Sequence, residues 1–288
     1  MKLYPLLFLD EAAKTAEEAL AKRLALLDLT ENSSDVFQKL ILFIPYSLET
    51  AIKKTIEKEG PYNPTGWHGT IVKNAITKGK NQAIVANLTY DLKRTHPEIN
   101  AISTSAAVGG YGPLIYQVAM YQHPDTWLAS DTSLKPASKK IWNKMYELSN
   151  KGVYERKFLG EIEIRQLIIR SGIGRDTLLR YSDEVDEGKI PPTEKAFLDW
   201  LVYEDLSPEE FGYLWGYKKT QHDPKIEQLF DRGKKFVEDI ETNYKIPVKE
   251  TMEILRGAGT RFFSNLYGSR ASYVDQAPVQ NPTSRGKQ

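Results

Sequence analysis

The tightest constraint on the fold is a set of three segments that follow one another almost without a linker between residues 98 and 121. Glu98-Ile99-Asn100-Ala101-Ile102-Ser103-Thr104-Ser105 alternates large apolar side chains with polar ones, the period of a half-buried strand. The cluster Gly109-Gly110-Tyr111-Gly112-Pro113 comes next, and then Leu114, Val118 and Tyr121 recur at helical spacing. Glycines reach φ > 0 and carry no Cβ, so successive amides can point into one concavity. A helix opening at Pro113 adds its unpaired N–H groups and the positive end of its dipole. That combination suits a pyrophosphate, and the same glycines also serve a plain tight connection.

Upstream, Asp10 to Leu29 reads as a helix through Ala12, Ala16, Leu20, Leu24 and Leu27, and Glu31-Asn32-Ser33-Ser34 breaks it. Lys39 to Ile44 reads as a strand buried on both faces, ended by Pro45. Ser47 and Thr50 open a helix closed by Gly60. Pro61 to Gly69 reads as loop by composition, and Gln82 to Leu88 as a second strand. After the glycine cluster come a short strand at Trp127–Ser130, a helix from Ser133 to Ser149 with Pro136 in its first turn, and an extended Gly152-Val153-Tyr154. Beyond Gly160 the texture turns helical: 162–170, 193–203, 208–217, 224–243 and 247–266. The expected organisation is an N-terminal helix (1–34), an α/β domain (35–160), a helical domain (161–270) and a flexible tail (271–288).

Composition narrows the chemistry. With 288 residues, 41% of them hydrophobic and 11% aromatic, the chain is a globular one with a real core. A formal charge of +1 gives no basic footprint for sequence-independent nucleic-acid binding. No cysteine is present, which excludes disulfides, thiolate metal sites and a cysteine nucleophile, and four scattered histidines make a histidine-built metal site hard to assemble. No apolar run approaches the roughly 20 residues that span a bilayer, and Pro5 and Asp10-Glu11 break the apolar opening, so neither membrane insertion nor secretion is expected.

The order strand, Gly-x-Gly, helix, short strand, helix, extension resembles the GNAT acyltransferase superfamily, in which that unit binds the pyrophosphate of acyl-coenzyme A. Gly110-Tyr111-Gly112 matches the Gly-x-Gly, and Leu114-Ile115 match the apolar pair after it. The longer run Gly110-Tyr111-Gly112-Pro113-Leu114-Ile115-Tyr116-x-Val118-Ala119-Met120 is similar to a GNAT-like family encoded by tailed bacteriophages. Those proteins carry Gly-(Tyr/Trp)-Gly-Pro-Leu-(Leu/Ile)-Tyr-Asp-Val-Ala-Met and then a Ser-x-x-Ala-x-x-Val-Trp helix, echoed by Ala137, Ile141 and Trp142. The resemblance covers about residues 80–158 and implies a GNAT-like mixed sheet flanked by helices. It implies acetyl-CoA or coenzyme A, without metal, held by Gly109, Gly110, Tyr111, Gly112 and Leu114. Two departures stand out: Ala107 takes the place of the superfamily's Arg or Gln, and Gln117 that of the phage-type aspartate.

For catalysis the resemblance implies a helix tyrosine facing the coenzyme thiol. Tyr146 is the nearest phenol, able to protonate a thiolate leaving group, and Ile141 or Trp142 stands at the equivalent register. Glu98, at the start of its strand, is the candidate base for an amine acceptor. Among the histidines, His68 in Gly66-Trp67-His68-Gly69 has the most suggestive loop, and His96, His123 and His222 sit in turns. Tyr203, Phe211, Tyr213, Trp215 and Tyr217 form either a docking surface or the core of a helix crossing. Two functions follow. One is a virion-associated structural protein on a degenerate GNAT-like fold, in contact with other particle subunits or with itself, in the virion or host cytoplasm. The alternative is an acyl-CoA-dependent N-acetyltransferase acting on an amine.

Overall fold

A computed structural model describes residues 14–30, 37–75, 82–91, 98–104, 110–130, 136–159, 175–219 and 223–267. Four strands form an antiparallel meander in the order β1 (Ala25–Asp28), β2 (Phe37–Phe43), β3 (Ile84–Asp91) and β4 (Glu98–Thr104). Successive residues of the central strands are buried on alternate faces, as a two-sided sheet requires. Leu26, Leu40, Leu42, Leu88 and Tyr90 enter one core, while Ala25, Leu27, Ile41 and Phe43 enter the other.

The first core is closed by α1 (Ala16–Ala21), α4 (Gly112–Gln122), α5 (Pro136–Asn150), α6 (Arg175–Asp186) and α7 (Glu194–Tyr203). The second is closed by α2 (Pro45–Glu59) and α3 (Pro64–Ala75), with α9 (Val248–Tyr267) lying against α3. Helix α8 (Pro224–Tyr244) serves both cores: Ile226 and Leu229 in the first, Phe236, Val237 and Ile240 in the second. It packs along the edge strand β1 so closely that a Cβ on Gly233 would sit 2.1 Å from the Leu26 carbonyl oxygen. Arginines satisfy the carbonyls on either side of that edge strand. Arg232 donates to the Leu20 and Leu24 oxygens at 3.1 and 3.0 Å, and Arg256 to Leu29 at 2.6 Å. An unguarded edge would be a template for pairing with another chain; here a helix and two guanidinium groups occupy it.

A second, two-stranded sheet pairs β5 (Glu155–Phe158) with β6 (Trp215–Lys218), joining residues from both sides of position 160. Leu128 bridges to Tyr217 on the other side of β6, so the expected Trp127–Ser130 strand is reduced to bridge residues at Leu128 and Ala129.

Three local expectations are overturned. The helix read through Leu29 stops at Ala21, because Arg23 takes a left-handed φ of 56° and Leu24 N–H turns back to the Ala19 carbonyl at 2.9 Å. Leu24 and Leu27, which share a helical period in the sequence, fall on opposite faces of the sheet. The loop expected at 61–69 is largely helix α3, with Pro64 in its first turn and Trp67 N–H bonded to Asn63 O at 3.2 Å. The helix expected at 208–217 is a 3₁₀ turn, Pro208–Leu214, followed by strand β6, whose aromatic residues suit a pleated, buried surface. Of the aromatic group there, Phe211, Tyr213, Trp215 and Tyr217 are buried in the core, and Tyr203 is 85% exposed. Helix α6 has no counterpart among the expected elements. The helix expected at 162–170 and the tail from 271 lie outside the described residues.

Candidate functional site

The turn into α4 forms as its glycines dictate. Gly110 has φ +89°, a conformation costly for any side chain, and Tyr111 (φ −91°, ψ 0°) is the helix N-cap without a capping side chain. Gly112 begins the helix, Pro113 lies in its first turn where a missing N–H is no loss, and Ile115 N–H donates to Tyr111 O at 3.2 Å.

The described residues pack closely around this turn. Tyr111 is 0% and Leu114 2% exposed, and Gly112 and Pro113 are buried with them. The backbone leading into α1 lies directly on the turn, Lys14 N–H donating to Gly110 O at 2.8 Å. Lys14 Nζ is engaged with Glu18, 3.3 Å away, so this cation is not directed at the turn. Glu18 also completes a capping box with Thr15, whose backbone N–H it accepts at 2.9 Å; that bond holds its carboxyl below the usual range. Burial, with the nearby Glu18 carboxylate, pushes the Tyr111 phenol up to about 12. The phenol stays protonated at neutral pH, and its hydroxyl has no hydrogen-bond partner among the described residues. Gly109 lies outside the described residues. Among the described residues, the helix start is buried and the charge that acts on Tyr111 is the Glu18 carboxylate.

The candidate catalytic residues are not gathered at this turn. Tyr146, on α5, is 4% exposed; its ring meets the Trp215 edge at 4.7 Å and carries the Arg156 guanidinium over its face at 4.2 Å. Burial raises its phenol, with Arg156 opposing. Among the described residues no hydrogen bond or ring contact joins it to 110–114. One turn earlier, Trp142 faces α4: its ring lies 5.4 Å from Tyr116 and 5.8 Å from Tyr217. The side chain that α5 presents to α4 is therefore an indole packed in the core. Glu98 opens β4 opposite Asp91, and its side chain lies outside the described ones. The same holds for the His68 side chain, on α3, and for His96 and His222.

At the other end of α4 is a polar constellation that the sequence did not announce. The Tyr90 hydroxyl of β3 lies 2.5 Å from Gln38 Oε1, 2.9 Å from Gln122 Oε1 and 3.1 Å from His123 Nε2. His123 Nε2 is 2.8 Å from Gln38 Oε1, and Gln122 Nε2 donates to Asp28 Oδ2 at 3.1 Å. The Tyr90 hydroxyl has one proton to give and Gln38 Oε1 is its nearest acceptor, while the Gln122 amide donates to Asp28. Burial lowers the His123 pKa, with Asp28 opposing, and raises the Tyr90 phenol far above its usual value. The cluster ties the C-terminal end of α4 to β1, β2 and β3. Only the turn at Pro124 hinted at it; its partners lie far apart in the chain.

Among the described residues, no group of three or more histidine, aspartate or glutamate side chains is placed to hold a metal ion, and no helix is long and apolar enough to cross a membrane. In comparisons with known proteins, no protein family, no curated protein and no solved structure matches this chain.

Proposed function

We propose that the chain is a structural protein of a bacteriophage particle, built on a degenerate GNAT-like unit that no longer binds acyl-coenzyme A. The observation that carries this reading is the closure of the α4 start: Tyr111 and Leu114 are 0% and 2% exposed, and the Lys14 backbone is bonded across Gly110. Supporting the kinship is the chain order alone, β4, the Gly110 turn, α4, the Leu128 bridge, α5 and β5, since the bridge and β5 pair with β6 in a separate antiparallel sheet and not with β4 in one mixed sheet. Supporting the loss of chemistry are Ala107 where a phosphate-binding side chain is usual and a Tyr146 packed between Trp215 and Arg156. The fold then serves as a rigid body that presents surfaces to other particle subunits or to further copies of itself.

The second reading, an acyl-CoA-dependent N-acyltransferase acting on an amine, draws on one observation, the positive φ of Gly110 directly before a proline-started helix. Quantitative mass spectrometry of purified particles separates the two. The structural reading expects this chain at a fixed copy number relative to the major subunits. A chain abundant in infected cells but missing from purified particles would refute it.

A further inference from the structure

Two consecutive lysines at the end of β6 meet opposite environments. Lys218 Nζ lies 2.9 Å from the Glu155 carboxylate and 4.8 Å from the Trp127 ring centre, an ordinary paired cation. Lys219 is half-buried, and among the described residues its Nζ hydrogen-bonds to the neutral Gln117 Oε1 of α4, at 3.4 Å. Gln117 is shared with the Tyr154 phenol, itself 4% exposed and protonated at neutral pH because burial pushes it up to about 12. On the α8 side, Asp223 accepts Lys225 N–H at 3.0 Å as the helix N-cap, and Glu227 takes the Tyr121 hydroxyl at 2.6 Å. Among the described residues no carboxylate comes within ion-pair distance of Lys219 Nζ.

Gln117 makes this environment unusual. Its amide supplies the ammonium with a dipole and no charge. Partial burial with no carboxylate in ion-pair distance among the described residues shifts a lysine toward its neutral amine, which carries the lone pair that attacks electrophiles.

We propose that Lys219 is a carbonyl-reactive amine, a site that captures small aldehydes or ketones as a Schiff base and owes its reactivity to the neutral Gln117 beside it. Desolvation of Lys219, only partly opposed by the Asp223 charge, lowers the ammonium pKa and agrees with this placement. In the reaction the Nζ lone pair adds to the carbonyl carbon and the C=O π pair moves to oxygen. The proton lost from nitrogen ends on that oxygen, giving a carbinolamine. Water then leaves, carrying a further proton from solvent, and the C=N bond closes; deprotonation of the iminium returns that proton.

The test uses the full chain with limiting formaldehyde at neutral pH and cyanoborohydride to deliver hydride to the imine carbon. Methylation is followed lysine by lysine by peptide mass spectrometry. Lys219 is expected to react several-fold faster than the exposed Lys140 and Lys234. Gln117→Asp, which supplies an ion pair, is expected to bring Lys219 down to the rate of those lysines while leaving Lys140 unchanged. Lys219→Arg should remove the fast-reacting peptide altogether, with circular dichroism confirming that each variant is folded. A wild-type Lys219 that reacts no faster than Lys140, or a Gln117→Asp variant that reacts as wild type does, overturns the proposal.

Discussion

The packing of α8 on β1 makes a sharp prediction, because it reverses the sign of a substitution that usually stabilises. Replacing a glycine inside a helix with alanine ordinarily gains about 0.5–1 kcal/mol, through lower unfolded-state entropy and better propensity. Gly69, exposed in α3 where an added Cβ would meet nothing within 4 Å, should follow that rule. Gly233 should not. Its Cβ would meet the Leu26 carbonyl oxygen at 2.1 Å and the Leu27 Cγ at 3.0 Å, more than an ångström inside ordinary contact at the oxygen. The obstacle is strand backbone, which cannot swing aside as a side chain can. Relief requires α8 to lift from the edge strand and strain the Arg232 bonds to Leu20 and Leu24. Overpacking of this kind costs about 1–3 kcal/mol and outweighs the propensity gain. Gly233→Ala should therefore lose roughly 1–2 kcal/mol net, seen as a lower urea midpoint at unchanged m-value and a Tm lower by about 2–8 °C. Gly69→Ala should move both the other way. If the two variants shift stability in the same, favourable direction, the close approach of α8 to β1 is wrong.

Three further outcomes follow. His123 is held neutral by burial in the folded chain and titrates near its ordinary 6.5 when unfolded, so the unfolded state binds the extra proton and stability should fall as pH drops below that value; His123→Gln should flatten the fall in urea midpoint between pH 7.5 and 5.5, and an unchanged slope would assign the effect elsewhere. Tyr146→Ala should cost about 3–5 kcal/mol by chemical denaturation, and Tyr146→Phe less than about 1 kcal/mol, since the described contacts of this ring are with Trp215 and Arg156 and not through its hydroxyl. Arg256→Met should lose about 1.5–3 kcal/mol, because the Leu29 carbonyl, bonded at 2.6 Å, is left without its charged donor; a neutral result would mean that water replaces the guanidinium at the sheet edge.

Elements whose signal is local were legible in the sequence. The two-sided apolar run of β2, the alternation of β4, and the proline-started helices α5, α8 and α9 lie where periodicity and start signals put them. So do Gly110's positive φ and the helix opening beside Pro113. Other elements depended on tertiary context. Leu20, Leu24 and Leu27 fit a helical period, and only a left-handed turn at the non-glycine Arg23 redirects the chain into β1. Pro61 to Gly69 has the composition of a loop, yet Trp67, Ile71, Val72 and Ala75 are buried and hold it as a helix. The aromatic run after Pro208 has helical spacing, but pairing with β5 pulls Trp215 to Lys218 into a strand. At the candidate site, the turn was readable and its packing was not, because the Lys14 backbone just before α1 and the charge of Glu18 reach the turn only in the folded chain. The Lys219–Gln117 pair is hidden for the same reason, its two members standing 102 residues apart.

Calorimetric titration of the full-length chain with coenzyme A addresses the central claim most directly, since it asks whether the amides at the start of α4 are open to a pyrophosphate. The account predicts no saturable heat at millimolar coenzyme. Saturable binding that Gly110→Val abolishes, with the fold retained, would contradict it and restore the acyltransferase reading.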